Sequence, residues 1–112
     1  KTDFEAIHNW PDCNIPQVNC LKNPHRHKIL IEVKTDTSTD REIEFFMFKD
    51  VVDKIIVSIY GFEFVKELGS TSMEQICNDI IYELKKIYVE QKYFSVEASE
   101  DGQVSAVVEY NF

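Results

Sequence analysis

The sequence is poor in the residues that mark several classes of protein. Its 112 residues include only three glycines, three prolines and three cysteines. So few glycines and prolines argue against a disordered or low-complexity chain. An odd number of cysteines without regular spacing makes a poor disulfide framework, and it favours a reducing, cytoplasmic location.

Positive charge and long apolar runs are also scarce. The chain has 12 Lys and Arg against 20 Asp and Glu, which gives a formal net charge of -8. Because nucleic-acid-binding domains usually carry a basic patch, we expect no nucleic-acid partner. No apolar run approaches the roughly 18 residues of a membrane helix, and no signal-peptide pattern opens the chain, so we also expect no membrane partner. The length predicts one domain, residues 1–112, with a small molecule or a protein as its partner.

The hydrophobic pattern that is present changes its period twice along the chain. Alternation predicts strands, a period near 3.6 predicts helices, and Asp101-Gly102 is a strong hairpin signal. The resulting order β-β-α-α-β-β predicts an α+β fold, a four-stranded antiparallel sheet with two helices on one face. Its exposed edges would invite pairing with another copy. We expect strands at 2–8, 27–35, 93–98 and 103–111, and helices at about 46–60 and 73–89.

The three histidines of the chain all lie at or near the ends of the first two predicted strands. If these strands pair, His8, His25 and His27 can converge. Two histidines one residue apart on an extended segment project to the same side. Three neutral imidazoles with one open coordination position form a catalytic zinc arrangement. The alternative is an ordinary solvated polar turn before a strand.

The order of several short motifs resembles the 6-pyruvoyltetrahydropterin synthase and 6-carboxytetrahydropterin synthase family. That family reads F-x-A-x-H, then Cys, then H-G-H, and the chain has Phe4–His8 followed by Cys20–His27. Three further segments resemble family motifs at the starts of the two helices and in a late strand that ends in a ligand-binding glutamate. They are Ile43–Lys49, Ser72–Gln75 and Phe94–Ala98.

The resemblance implies the tunnelling fold, in which subunits join edge to edge into barrels, commonly as hexamers with sites between subunits. It implies that the histidine trio holds Zn²⁺ and that Cys20 is the acid/base thiol. Glu97 would anchor the pterin ring, because a carboxylate can accept two parallel N–H bonds, and Glu74 would contribute to substrate binding. The implied substrate is a dihydroneopterin triphosphate, in the pterin or 7-deazaguanine (queuosine) pathways.

The chain also departs from the family pattern. The family's Asp-His pair, which assists proton transfer, falls on Gly61 and Phe62, and the glycine of H-G-H is Arg26. Three functions therefore stay open. The chain could be a zinc-dependent carbon–oxygen lyase, with a group such as Glu63 in place of the lost pair. It could be an inactive protein that sequesters a pterin or purine nucleotide, or a scaffold whose metal site is vestigial.

Simpler structural roles compete at several of these positions. Cys77 falls on the apolar stripe of the second predicted helix, so we expect it in the core. Cys20 could be a plain loop thiol, and Cys13 competes with it for the acid/base role. Glu97 has the parity of a solvent-facing strand residue. Glu74 could serve in a capping box with Thr71 as the N-cap, since the two are three residues apart.

Overall fold

The computed structural model describes residues 1–18, 23–37 and 43–112. Five strands and two helices account for most of them, in the order β-β-α-β-α-β-β. The elements are β1 (Thr2–His8), β2 (His25–Thr35), α1 (Phe45–Tyr60), β3 (Val65–Gly69), α2 (Met73–Ile87), β4 (Tyr93–Glu100) and β5 (Val104–Asn111).

The five strands form one mixed sheet in the spatial order β3-β1-β2-β4-β5. Neighbours pair antiparallel, except that β3 runs parallel to β1. The α+β class is confirmed. The prediction of four strands, all antiparallel, was wrong, because it missed β3 between the two helices.

The missed strand is short, and its pattern hides it. β3 has only five residues, and Lys66 occupies one of its two buried positions. The Lys66 side chain turns to the end of α1 and donates to the carbonyls of Gly61 and Glu63, at 2.6 and 3.1 Å. A buried lysine satisfied in this way breaks the apolar alternation that reveals a strand.

The helices cover one face of the sheet and enclose the core with it. The alternating residues Phe4 and Ala6 of β1, and Ile29 and Ile31 of β2, point to this face and are buried. The amphipathic stripe of α2 packs on β4 and β5 and closes the same core, because its apolar residues recur every three or four positions. The core residues of α2 are Met73, Ile76, Cys77, Ile80, Ile81 and Leu84. The prediction that Cys77 is a core residue is confirmed.

The first turn of α2 is capped by a different residue from the one predicted. The Ser72 side chain accepts from the backbone N–H of Gln75 at 3.1 Å, which makes Ser72 the N-cap. The capping box with Thr71 as N-cap was therefore wrong by one residue. Because the first helical residue is Met73, Glu74 lies in the exposed first turn. Its negative charge there stabilises the helix by interacting with the positive end of the helix dipole.

Neither helix in the described ranges combines the length and the apolar character that crossing a bilayer requires. Assembly of the sheet into a barrel involves further copies of the chain and stays a prediction.

Candidate metal centre

The register of β1 and β2 brings the three histidines together. His8, at the end of β1, pairs directly with His25 at the start of β2. His27 lies two residues further along β2, opposite Ala6, and therefore projects to the same face. Because Ala6 is part of the core, this is the face that the helices cover, and the rings lie at one end of it.

The three rings are packed edge to face around a common centre. Their centroids are separated by 4.5 Å for His8 and His25, 4.9 Å for His25 and His27, and 5.4 Å for His8 and His27. One ring nitrogen from each lies within 4.8 Å of the other two. Zinc–nitrogen bonds of about 2.0–2.1 Å need a closer set, so zinc binding would draw the three rings together.

The outer nitrogens of two rings are fixed by acceptors that have no proton to give. His25 Nδ1 lies 2.8 Å from the carbonyl oxygen of Asn23, and His27 Nδ1 lies 2.6 Å from Oδ2 of Asp101. A carbonyl and an ionised carboxylate only accept, so both Nδ1 atoms carry hydrogen in the neutral rings. The lone pairs of both rings are therefore on Nε2, which leaves that nitrogen able to bind a metal.

His8 likewise donates from one ring nitrogen and leaves Nε2 without hydrogen, and it is the most buried of the three. Its ring donates a hydrogen bond to the backbone of Thr71, while Nε2 is buried without any hydrogen-bond partner in the described part of the chain. Burial lowers the pKa of His8 below its ordinary value, although the Glu100 carboxylate opposes that shift. A neutral ring is the form that binds metals.

The contact between His8 and Glu100 fits a site built for a cation. Nε2 of His8 lies 3.2 Å from Oε1 of Glu100, but the two atoms form no hydrogen bond. A lone pair facing a carboxylate oxygen at this distance is repulsive unless a positive charge lies nearby. Three imidazole nitrogens suit Zn²⁺, so the residues present fit that ion, and the Glu100 carboxylate beside them adds a favourable negative charge.

An open cavity of about 480 Å³ adjoins the histidines. Its lining includes His8 and His25 from the sheet, the first turn of α2 with Glu74, and Glu100 at the end of β4. Trp10 also lines it, with 45% of its surface exposed. A cavity of this volume can hold a bicyclic heterocycle, because ligand pockets commonly span about 300–1,000 Å³.

Glu100 is the main site residue that the sequence prediction missed. Its second oxygen, Oε2, lies 3.6 Å from Nε2 of His27, so the carboxylate approaches two of the three histidines. Glu100 has the same parity as the core residues Val96 and Ala98, which was visible in the sequence. That parity places it on the helix-covered face, whereas the motif resemblance points to Glu97.

Glu97 lies on the opposite face of the sheet from the histidines. It pairs with Glu32 of β2 and accepts a hydrogen bond from the Ser105 hydroxyl at 3.0 Å. It lines a different depression, together with Lys1 and Glu32. Within one chain the structure therefore separates Glu97 from the metal centre, whereas it brings Glu74 to the same cavity.

Of the two candidate acid/base thiols, Cys20 and Cys13, the structure describes only Cys13. Cys20, the predicted acid/base residue, lies outside the described residues. Cys13 is buried, and its Sγ lies 3.8 Å from the carbonyl oxygen of Val18, among the loop residues that follow β1. It does not line the cavity.

Gly61 and Phe62, which the resemblance matches to the family's Asp-His pair, do not lie beside the histidines. Gly61 ends α1 with a positive φ of 87°, which glycine adopts readily, and Phe62 is 83% exposed. Neither lines the cavity beside the histidines, and neither does Glu63. A contribution of Glu63 to that cavity would therefore have to come from another copy of the chain.

Neither protein-family models nor curated proteins give a match to this chain. The resemblance therefore rests on its motifs alone.

Proposed function

We propose that the chain is a zinc-binding, carbon–oxygen lyase of the 6-carboxytetrahydropterin synthase type, acting on a dihydroneopterin triphosphate-like substrate. The observation that carries the proposal is the convergence of three imidazoles, with one ring nitrogen of each within 4.8 Å of the other two, beside a cavity of about 480 Å³. Bound zinc would polarise oxygens of the substrate side chain and ease removal of a proton from the adjacent carbon.

The role of ring anchor passes from Glu97 to Glu100 in this proposal. The resemblance expects a ligand-binding glutamate at the end of the late strand, and β4 ends at Glu100. Glu100 lines the cavity, whereas Glu97 does not. Its carboxylate can accept two parallel N–H bonds from a 2-amino-4-oxo heterocycle, which orients the ring relative to the histidines.

Proton transfer is assigned to two groups, Cys20 and Glu74. Cys20 remains the proposed acid/base thiol, since it stands between the two histidine segments in the sequence. Glu74 lies in the first turn of α2 and lines the cavity, which supports a role in contacting the polar end of the substrate or in proton transfer.

A second candidate function is supported by the residues at the Asp-His position. Gly61 and Phe62 cannot carry a proton, and general acid–base help typically contributes about 10²–10⁴-fold to a rate. A chain that binds metal and heterocycle but lacks this help would sequester a pterin or purine nucleotide without turning it over.

Incubation with dihydroneopterin triphosphate and mass detection of the product separates the two candidates. Product that disappears in Cys20→Ala would support the lyase and exclude simple sequestration. Absence of product, with a pterin or purine nucleotide copurifying in stoichiometric amount, would exclude the lyase.

Glu100→Gln tests the ring anchor, and Glu97→Gln is its matched control on the same strand. We expect heterocycle affinity to fall about tenfold or more in Glu100→Gln, because hydrogen bonds to a charged group contribute about 1.5–3 kcal/mol. Glu97→Gln should bind as the unchanged protein does. Equal loss in both variants, or loss in Glu97→Gln alone, would contradict the assignment.

Removing the three histidines tests the metal centre directly. We expect about one zinc per chain in the unchanged protein and none when His8, His25 and His27 are all replaced by alanine. Added zinc should raise the melting temperature of the unchanged protein alone, since a ligand at 100 times its Kd stabilises by about 2.7 kcal/mol. Zinc retained by the triple variant would refute the centre.

A further inference from the structure

We propose that Asp101 is the positioning residue of the metal centre, a carboxylate that holds His27 in the tautomer and orientation that zinc binding requires. This inference rests on the proposed zinc centre. It assigns to the β4–β5 turn a function that neither the sequence pattern nor the family resemblance predicted.

The two oxygens of Asp101 join two neighbouring residues of β2. Oδ1 accepts the backbone N–H of Lys28 at 2.8 Å, and Oδ2 accepts from Nδ1 of His27 at 2.6 Å. The backbone N–H of Asp101 donates in turn to the carbonyl of Lys28 at 2.7 Å. The carboxylate is therefore held in place by the strand that bears the ligand, so its orientation is fixed independently of any metal.

The turn by itself does not explain the carboxylate. Asp101 and Gly102 both have positive φ, 56° and 73°, as the tight hairpin turn between β4 and β5 requires. Asparagine and glycine suit the first of these positions at least as well as aspartate. Only the two donors on β2 require a group that accepts on both sides.

The position of Asp101 in the sequence links it to the metal centre. Asp101 follows Glu100 directly, so the end of β4 places one carboxylate against Nε2 of His8 and the next against Nδ1 of His27. Carboxylate–histidine–metal arrangements of this kind fix the ring and raise its basicity, and removing the carboxylate typically lowers metal affinity about 10–100-fold.

Asp101→Asn is the sharpest test, because it keeps the shape and the turn. An asparagine has one accepting oxygen and one donating nitrogen, so it can satisfy the Lys28 amide or His27 Nδ1–H, but not both. If the oxygen faces Lys28, the amide nitrogen drives His27 to the tautomer with hydrogen on Nε2. Asp101→Gly, which relieves the positive φ, is the second variant, and Asp50→Asn on α1 is the control for loss of one exposed, ion-paired carboxylate.

The measurements are Zn²⁺ affinity by chelator competition, the melting temperature without metal, and the tautomer of His27 from its ring ¹⁵N shifts. We expect about 10–100-fold weaker binding in Asp101→Asn and Asp101→Gly, a melting temperature without metal close to that of the unchanged protein, and loss of the Nδ1–H tautomer. Asp50→Asn should change none of these.

Unchanged affinity together with a retained Nδ1–H tautomer in Asp101→Asn would overturn the inference while leaving the metal centre intact. A large fall in the metal-free melting temperature of both Asp101 variants, with proportional loss of binding, would assign Asp101 to the turn alone and would also overturn it. If the unchanged protein binds no zinc, the proposed function fails, and the ring ¹⁵N shifts still decide whether Asp101 sets the tautomer.

Discussion

At the scale of single residues, the candidate site depends on a buried imidazole nitrogen that faces a carboxylate oxygen where an ordinary core would supply a hydrogen-bond donor. Nε2 of His8 is buried and has no hydrogen-bond partner among the described residues, and the Glu100 carboxylate lies 3.2 Å from it. A buried polar atom without a partner costs about 1–3 kcal/mol. A cation would remove that cost at His8 and would balance the charge of Glu100, which is the physical reason for proposing a metal there.

Cys77 provides a contrast, because its surroundings make its thiol inert. Burial raises the pKa of Cys77 to about 11, from an ordinary value of 9.0. At pH 9 only about one per cent of the folded thiol would be thiolate, the reactive form. We expect peptide mapping after alkylation at pH 9 to leave Cys77 unmodified in the folded protein and modified in guanidinium. Rapid labelling in the folded state would contradict this.

The same pKa fixes the direction of one alkaline effect on stability. The Cys77 thiol ionises near pH 9 when unfolded and near pH 11 when folded, so the folded state keeps its proton longer. The contribution of this group is full below pH 9 and is lost as the pH rises towards 11. Urea unfolding measured from pH 9 to pH 11 should show that the free energy of unfolding falls as the pH rises. The fall per pH unit should be smaller in Cys77→Ala.

At the scale of elements, the start of α2 brings together helix capping and the site. Ser72 caps the helix, and the preceding Thr71 supplies the backbone group that holds the His8 ring. The end of β3 lies against the end of β1, where Asn9 donates its backbone N–H to the Gly69 carbonyl at 2.8 Å. The register between these strands shifts at His8, and such irregularities re-aim side chains beside functional sites.

The identity of the N-cap is open to a direct comparison. We expect Ser72→Ala to lower the free energy of unfolding by about 1 kcal/mol, because the Gln75 N–H loses its acceptor. Thr71→Ala, one residue earlier, should change it by no more than about 0.5 kcal/mol. Urea unfolding of both variants measures the difference, and the opposite ranking would restore Thr71 as the cap.

At the scale of the whole molecule, two features call for a partner: exposed aromatic residues and sheet edges that pair with no further strand in the described part of the chain. β3 and β5 are the outer strands of the sheet. Phe62 and Phe64, immediately before β3, are 83% and 81% exposed. Exposed apolar side chains beside an unpaired strand edge are typical of an interface.

We expect light scattering to give a mass several times the 13.1 kDa of one chain, as the ring-oligomer prediction requires. Replacing both Phe62 and Phe64 by serine should reduce that mass towards one chain. The matched control replaces Phe45 and Phe46, which are equally exposed at the start of α1 and lie away from β3, and it should keep the assembly. A monomeric unchanged protein would refute the ring.

The sequence by itself determined the features that depend on periodicity and on local turn chemistry. Alternation placed β1, β2, β4 and β5, the helical period placed α1 and α2, and Asp101-Gly102 placed the hairpin. The shared parity of His25 and His27 predicted that their rings lie on one face. These signals survive in one sequence because each depends on neighbours within a few residues.

Only the tertiary structure decided the features that depend on which strands are neighbours and in which register. β3 is a strand because it pairs in parallel with β1, although Lys66 breaks the apolar alternation that would predict a strand there. Register placed Glu100 and Asp101 beside the histidines, although Asp101 is 74 residues along the chain from His27, and it placed Glu97 on the other face. A strand pattern gives the two faces of a strand but does not choose its partner, because pairing is set by the packing of the whole core.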